Sequence, residues 1–129
     1  MINKMEMSVK EVLVKARNKI EKRQNWCKKA AAKKMAVPNN GNFYRSVSVW
    51  LIECGAKNEH ACQWCATGAV DSVVEKVFAD NTVQAKRLLS EFCPNKSIAE
   101  YNDESKTSHK DIIEIFDKSI EFVEADRLD

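Results

Sequence analysis

The stretch Ala61-Cys62-Gln63-Trp64-Cys65-Ala66-Thr67-Gly68-Ala69 decides how this chain is interpreted. It crowds two thiols, an indole and a glycine into nine residues, which indicates either a site or a tightly packed helix junction. From Cys62 to Ala79 the apolar residues recur at helical spacing, which predicts an amphipathic helix. Glycine inside a helix costs about 1 kcal/mol relative to alanine. We therefore expect Gly68 to lie against another backbone.

Helix signals continue on both sides of this stretch. Ser8-Val9-Lys10-Glu11 and Ser97-Ile98-Ala99-Glu100 are capping boxes, in which serine and glutamate side chains bind the free backbone amides of a helix start. The first box predicts a helix to about residue 24, and the second predicts one short turn. Further helices are predicted from Thr82 to Phe92 and from Ser108 onward, each with an apolar stripe.

Two segments are harder to assign. Residues 26–35 are rich in alanine and lysine, and we expect a second short helix there. Residues 43–54 fit either an alternating strand or one helical face, and the lack of an evident partner strand favours helix. Val37-Pro38-Asn39-Asn40-Gly41 between them is the clearest loop. The sequence therefore predicts an all-α fold, a compact bundle of four to six helices.

Length and composition are typical of one soluble globular domain. The chain has 129 residues, of which 44% are hydrophobic and 31% charged, so a disordered chain is excluded. We expect a single helical domain over residues 1–129, with residues 1–7 and 126–129 frayed. No apolar run approaches the roughly 20 residues that span a bilayer, and no signal peptide is evident. These features predict a cytoplasmic protein that does not enter membranes.

Charge is distributed unevenly although the net charge is only +2. Residues 10–34 hold ten basic and two acidic residues, whereas residues 100–129 hold ten acidic and four basic ones. A basic helix is able to contact nucleic acid. The segment has a single aromatic residue, Trp26, and no recognised binding signature. The favoured interpretation is that the two oppositely charged segments lie side by side, with nucleic-acid binding through residues 10–34 as an alternative.

The cysteines predict free thiols rather than a disulfide framework. Their number is five, which is odd, and free cysteine is usually buried. Cys62 and Cys65 form a Cys-x-x-Cys pair, but redox pairs of this kind follow a strand, and none is evident here. His60 with Cys62 and Cys65 has the spacing of zinc ligands, yet a second close pair is missing. We therefore predict no cofactor and no metal, with zinc as the alternative.

A cysteine nucleophile is the sharpest enzyme hypothesis. Cys65 near a helix start would supply a thiolate, His109 would act as the base, and Asn102 or Asp103 would orient the imidazole. Each residue also has a structural explanation. Asn102 and Asp103 fall where a turn or a helix cap belongs, and a cysteine between tryptophan and alanine is usually packed.

The tryptophans allow a similar choice between packing and binding. Trp26 and Trp64, with Tyr101, are the candidate lining of a pocket for a ligand or a partner, and Trp50 is a further candidate. Buried tryptophans that bridge helices are the more common outcome. We expect Trp26-Cys27 to pack against Trp64-Cys65 and to fix how two helices cross.

Several of these motifs together resemble a known family. Trp26-Cys27, then Trp64-Cys65-Ala66-Thr67-Gly68-Ala69, then Tyr101-Asn102-Asp103 with Thr107 are similar to the pattern of small uncharacterised bacterial and phage proteins, catalogued as a domain of unknown function. The resemblance covers most of residues 9–125 and implies one helical domain, without implying an activity. Two positions depart from the pattern, since Tyr101 replaces a usual tryptophan and Cys62 replaces an apolar or small residue.

The function predicted from these observations is binding rather than catalysis. We expect a small helical protein, of phage or mobile-element origin, that contacts a protein partner through an exposed helix face or the region 38–60. One alternative is a cysteine-dependent acyl transferase or hydrolase that uses Cys65 and His109. The second is nucleic-acid binding. The sequence does not indicate an oligomeric state.

Overall fold

A computed structural model of the chain describes residues 7–35, 51–94 and 96–126. These residues form five helices and a three-stranded antiparallel sheet, so the predicted all-α bundle is wrong and the fold is α+β. The helices are α1 (Val9–Lys19), α2 (Ala66–Val73), α3 (Asp80–Glu91), α4 (Ile98–Asp103) and α5 (His109–Asp126). The strands are β1 (Ala32–Met35), β2 (Leu51–Cys54) and β3 (Ala61–Trp64).

The sheet is built from three segments for which the sequence predicted helix. Its strand order is β2-β1-β3, with Ala32 opposite both Cys54 and Trp64. The short helix predicted over 26–35, the helix favoured over 43–54 and the helical start at Cys62 are therefore all wrong in the described residues. Each strand is only four residues long. So short a segment carries too little periodicity to separate strand from helix.

Several predicted features fall outside the described residues. They include the loop at 37–41, residues 43–50 with Trp50, and most of the ends predicted to fray, namely 1–6 and 127–129.

The two helix starts predicted from the capping boxes are confirmed. The Ser8 and Ser97 hydroxyls accept from the backbone amides of Glu11 and Glu100, and both glutamates bind back to the serine amides. The helix predicted to start at Thr82 begins at Asp80, and the last helix begins at His109. Helix α1 ends at Lys19, earlier than predicted, and a short 3-10 turn follows over Arg23–Asn25.

Strand β3 passes into helix α2 through Cys65 alone. The Cys65 N–H donates to the Ala31 carbonyl (3.2 Å), and its sulfur accepts from the Gly68 N–H (3.2 Å) to cap the helix. A Cβ on Gly68 would lie 1.8 Å from the Ala31 oxygen, so the predicted close approach of two backbones is confirmed. Helix α2 ends at Val73 rather than at Ala79, because Val74 is already extended.

The core lies where α1 packs against α2, α3 and α5. Its fully buried side chains include Val12, Leu13, Leu89, Ile112 and Phe116. The basic first helix lies beside the acidic last one, as predicted, and two ion pairs join them. Lys10 binds Glu124 (3.0 Å) and Arg17 binds Asp117 (2.6 Å). None of the described helices is long and apolar enough to cross a membrane.

Candidate functional site

Asn102, on the short helix α4, is fully buried and uses both ends of its amide group. Its oxygen accepts from the Trp26 indole N–H (2.7 Å) and from the Ala66 backbone N–H at the start of α2 (3.0 Å). Its nitrogen donates to the Cys27 carbonyl (3.1 Å) and to Oδ1 of Asp103 (3.0 Å). These four bonds satisfy the hydrogen-bonding capacity of the side chain. We call Trp26, Cys27, Ala66, Asn102 and Asp103 the Asn102 cluster.

A turn after Cys27 is held against the same cluster. The Lys29 N–H donates to Oδ1 of Asp103 (2.7 Å), and Lys29 has a positive φ of 66°. The Lys28 ammonium donates to the Glu104 carbonyl and lies 5.6 Å from the centre of the Trp26 ring. The segment after the 3-10 turn is thus fixed to α4 by backbone and side-chain contacts together.

The two Trp-Cys pairs adjoin, as predicted, but through extended backbone rather than through crossing helices. Trp26 and Trp64 form a parallel bridge, and the Cys27 N–H donates to the Trp64 carbonyl (3.1 Å). Cys27 and Cys65 are both buried. Burial, aided by the neighbouring Cys65 thiol, raises the pKa of Cys27 to about 12. All five cysteines are free.

The four residues of the enzyme hypothesis have other partners. The Cys65 sulfur caps α2 and lies 3.3 Å from the Thr67 hydroxyl. Nε2 of His109 lies 2.6 Å from the Ile20 carbonyl at the end of α1. In the part of the chain that the structure describes, no hydrogen bond joins Cys65, Asn102 or Asp103 to His109. Cys65 is connected to Asn102 through the next residue, Ala66, whose backbone N–H donates to the Asn102 side chain. Catalysis by Cys65 and His109 stays a prediction.

The residues predicted to line a ligand pocket are partly brought together. Trp26 and Trp64 are neighbours, and the Trp64 indole donates to the Ala56 carbonyl (3.1 Å). Trp64 also lines an open polar cavity of about 390 Å³, where the Lys19 ammonium lies 4.5 Å from its ring centre. Tyr101 is half-buried, and burial together with nearby acidic groups such as Asp111 raises its pKa.

The zinc alternative gains no support from the arrangement of its candidate ligands. Within residues 7–35, 51–94 and 96–126, no three His, Cys, Asp or Glu side chains are grouped to hold a metal ion. The His60 side chain is largely exposed and lies 3.3 Å from Glu59, while Cys62 is half-buried in β3.

An apolar groove lies between α1, α3 and α5. It has a volume of about 260 Å³ and is formed by the start of α1, one face of α3 and the end of α5. Its apolar lining is Val9, Leu88 and Phe122, and Phe92 packs edge-on against Phe122 with ring centres 6.1 Å apart. We call this the α3–α5 groove.

Phe78 lies just before α3, and its surface is 91% exposed. Single exposed apolar side chains are common on protein surfaces, so Phe78 alone does not mark a site. The helix predicted from Cys62 to Ala79 would have included Phe78 among its apolar residues. The extended residue Val74, which ends α2, places Phe78 outside that helix.

Comparison with known proteins supplies a family. The sequence matches the family of unknown function DUF6197 over residues 5–122. The chain belongs to this family. No curated protein and no solved structure was found to match it.

Membership in this family confirms that the chain resembles a domain of unknown function over most of its length. The motif pattern and the bacterial or phage origin stay predictions. In this member the motif residues have clear structural roles. Gly68 accommodates the Ala31 carbonyl, and Asn102 joins the first Trp-Cys pair to α2.

Proposed function

We propose that this protein binds a protein partner through the α3–α5 groove. The observation that carries the proposal is a concave apolar surface that contains an exposed phenylalanine. Phe122, on α5, lines the groove and is nevertheless exposed.

The composition of the groove suits protein recognition. Its floor is apolar, and its rim carries Gln84, Arg87 and Glu91 at successive turns of α3. Protein interfaces commonly place an apolar centre inside a polar rim, and a few central side chains supply most of the binding free energy. Arg87 and Glu91 offer charges of both signs, which would orient a partner without dominating its affinity.

The size of the groove limits what the partner presents. About 260 Å³ accepts one or two large apolar side chains rather than a whole cofactor. An amphipathic helix that offers apolar residues three and four positions apart fits a groove between helices. We therefore infer a partner helix with its apolar stripe on Leu88 and Phe122.

The experiment compares the protein with two single-residue variants, one changed inside the groove and one changed outside it. Phe122→Ser removes the apolar wall, and Lys15→Ser changes an exposed residue of α1 that does not line the groove. Proteins captured from cells by each form are quantified, and the affinity of a captured protein is then measured by titration calorimetry. We expect at least tenfold weaker binding for Phe122→Ser and unchanged binding for Lys15→Ser.

Two results would overturn the proposal. One is a captured partner that binds Phe122→Ser as tightly as the unmodified protein. The other is a capture experiment in which no protein depends on Phe122. Circular dichroism of each variant confirms that the fold is retained.

The proposal includes the bacterial or phage origin that the resemblance implies and the cytoplasmic location expected from the sequence. The two alternative functions stay predictions that no contact among the described residues favours. The Cys65 sulfur is engaged in capping α2. In the basic segment, Lys10 and Arg17 are already paired with α5.

A further inference from the structure

The two edges of the sheet differ. Beyond β3, the Gln24–Cys27 segment lies against the Trp64 end of the edge: the Cys27 N–H donates to the Trp64 carbonyl, and the Gln63 side chain donates to the Gln24 carbonyl (3.0 Å). Strand β2 is outermost on the other side, and no described residue pairs with its outer edge. An edge strand presents unpaired backbone N–H and C=O groups that an added strand is able to bind.

The open edge also carries exposed apolar side chains on both faces of the sheet. Residues directly opposite each other point to the same face, and successive residues alternate between faces. Leu51 pairs with Met35 on one face, and Ile52 pairs with Lys34 on the other. Leu51, Ile52 and Met35 are all exposed. A helix would cover only one of these faces, whereas an added strand would extend both.

We propose that β2 pairs in antiparallel fashion with β2 of a second copy of this chain. The two sheets then join into one sheet of six strands with the order β3-β1-β2-β2-β1-β3. Because a two-fold axis pairs the β2 edge of one copy with the same edge of the other, both β2 edges are used and the assembly closes at two copies instead of growing into a fibre. This surface is separate from the α3–α5 groove.

Two antiparallel β2 strands have a different register for each residue that is placed opposite its own copy. Charge selects one of these registers. Pairing Glu53 with its own copy sets two carboxylates directly opposite, which is destabilising. Pairing Leu51 with its own copy leaves only one pair of opposed residues within the described strand. Pairing Ile52 with its own copy places two apolar side chains on the two-fold axis and puts Leu51 opposite Glu53 on either side. This register gives three pairs of opposed residues, and in none of them do like charges face each other. The strand is therefore able to pair with its own copy.

The test is sedimentation velocity of the full chain over a range of concentrations. Ile52→Lys sets two ammonium groups against each other on the axis, and we expect at least a tenfold rise in the dimer dissociation constant. Phe78→Ser removes an exposed apolar side chain outside the sheet and is expected to leave dimerisation unchanged. Amide hydrogen exchange of residues 51–54 supplies a second measure, since protection is expected to increase with protein concentration.

Three results would overturn the proposal. They are a monomer at every concentration, an Ile52→Lys variant that dimerises like the unmodified chain, and exchange at 51–54 that does not depend on concentration. The first would also indicate that the β2 edge is covered within one chain. The capture experiment on Phe122→Ser is independent, because that side chain is on α5.

Discussion

The Asn102 cluster and the α3–α5 groove both contain aromatic side chains that lie against helices. The two regions differ in whether the aromatic side chain is anchored by a hydrogen bond or left exposed. In the cluster the Trp26 indole is anchored by a hydrogen bond to a fully buried amide. In the groove Phe122 packs edge-on against Phe92 and remains exposed.

The difference separates stability from recognition. Buried polar groups that are fully paired specify one arrangement, because any other arrangement leaves some of them without partners. Exposed apolar groups add little to folding and are available to a partner. Changes in the cluster and at its glycine neighbour should therefore alter unfolding, whereas changes at the groove should alter binding alone.

The largest effect is expected for Gly68→Ala beside the cluster. Its Cβ would lie 1.8 Å from the Ala31 oxygen and 2.7 Å from the Ala31 carbonyl carbon, and neither backbone atom is able to rotate away. We expect the free energy of unfolding to fall by more than about 3 kcal/mol, at the upper end of overpacking effects. Urea denaturation measures it.

Gly55→Ala is the matched control, because a Cβ there meets no atom within 4 Å. Its stability should stay within about 1 kcal/mol of the unmodified protein. Equal stabilities of the two variants would contradict the close approach of α2 to Ala31.

Asn102→Ala should have the next largest effect. It leaves the Trp26 indole N–H, the Ala66 N–H and the Cys27 carbonyl without the partner that the amide supplies. We expect a loss of about 3 kcal/mol, because unpaired buried groups cost about 1–3 kcal/mol each and partial relaxation recovers some of this. Thermal and urea unfolding both measure it.

Trp26→Phe keeps an aromatic ring but removes the indole N–H and part of the ring volume, so about 1–2 kcal/mol is expected. If Asn102→Ala were no more destabilising than Trp26→Phe, the cluster would not act as a connected network.

Alkaline pH should weaken the fold through Cys27, whose pKa is raised from 9.0 to about 12. Between these pH values the unfolded chain releases a proton that the folded chain keeps, so the free energy of unfolding falls as the pH rises above 9. The slope from one such thiol is at most about 1.4 kcal/mol per pH unit. Urea unfolding at several alkaline pH values should show a shallower slope for Cys27→Ser than for Cys62→Ser.

The smallest change in stability is expected for Phe78→Ser, because the side chain is already 91% exposed. The free energy of unfolding should shift by no more than about 0.5 kcal/mol. A loss of more than about 2 kcal/mol in thermal unfolding would show that Phe78 supports the fold, and the contrast between the two regions would fail there.

Local signals in the sequence predicted local structure well. The boxes at Ser8 and Ser97 place hydroxyl and carboxylate three residues apart, so their effect needs no distant partner. The close contact of Gly68 followed from the cost of glycine in a helix. The pairing of basic and acidic segments followed from charge alone.

Features that depend on distant partners were missed. Ala32 is a strand residue because Cys54 and Trp64 lie beside it, and nothing within a few residues of Ala32 indicates this. Asn102 reads as an ordinary turn residue, whereas three of its four hydrogen-bond partners lie 36 to 76 positions away. For the candidate site, the sequence singled out Trp26 and Asn102 but not the hydrogen bond between them, and it predicted Phe78 inside a helix that in fact ends at Val73.

The long separations around Asn102 also bear on the order in which the chain folds. Its bonds to Trp26 and Cys27 close a loop of about three fifths of the chain, while the capping boxes act over three residues. Contacts at such separation must repay the entropy of loop closure before they contribute, and they slow folding. Docking of α4 on the Trp26 indole is therefore expected late in folding, and the fluorescence of that indole would follow the step in which the molecule becomes native.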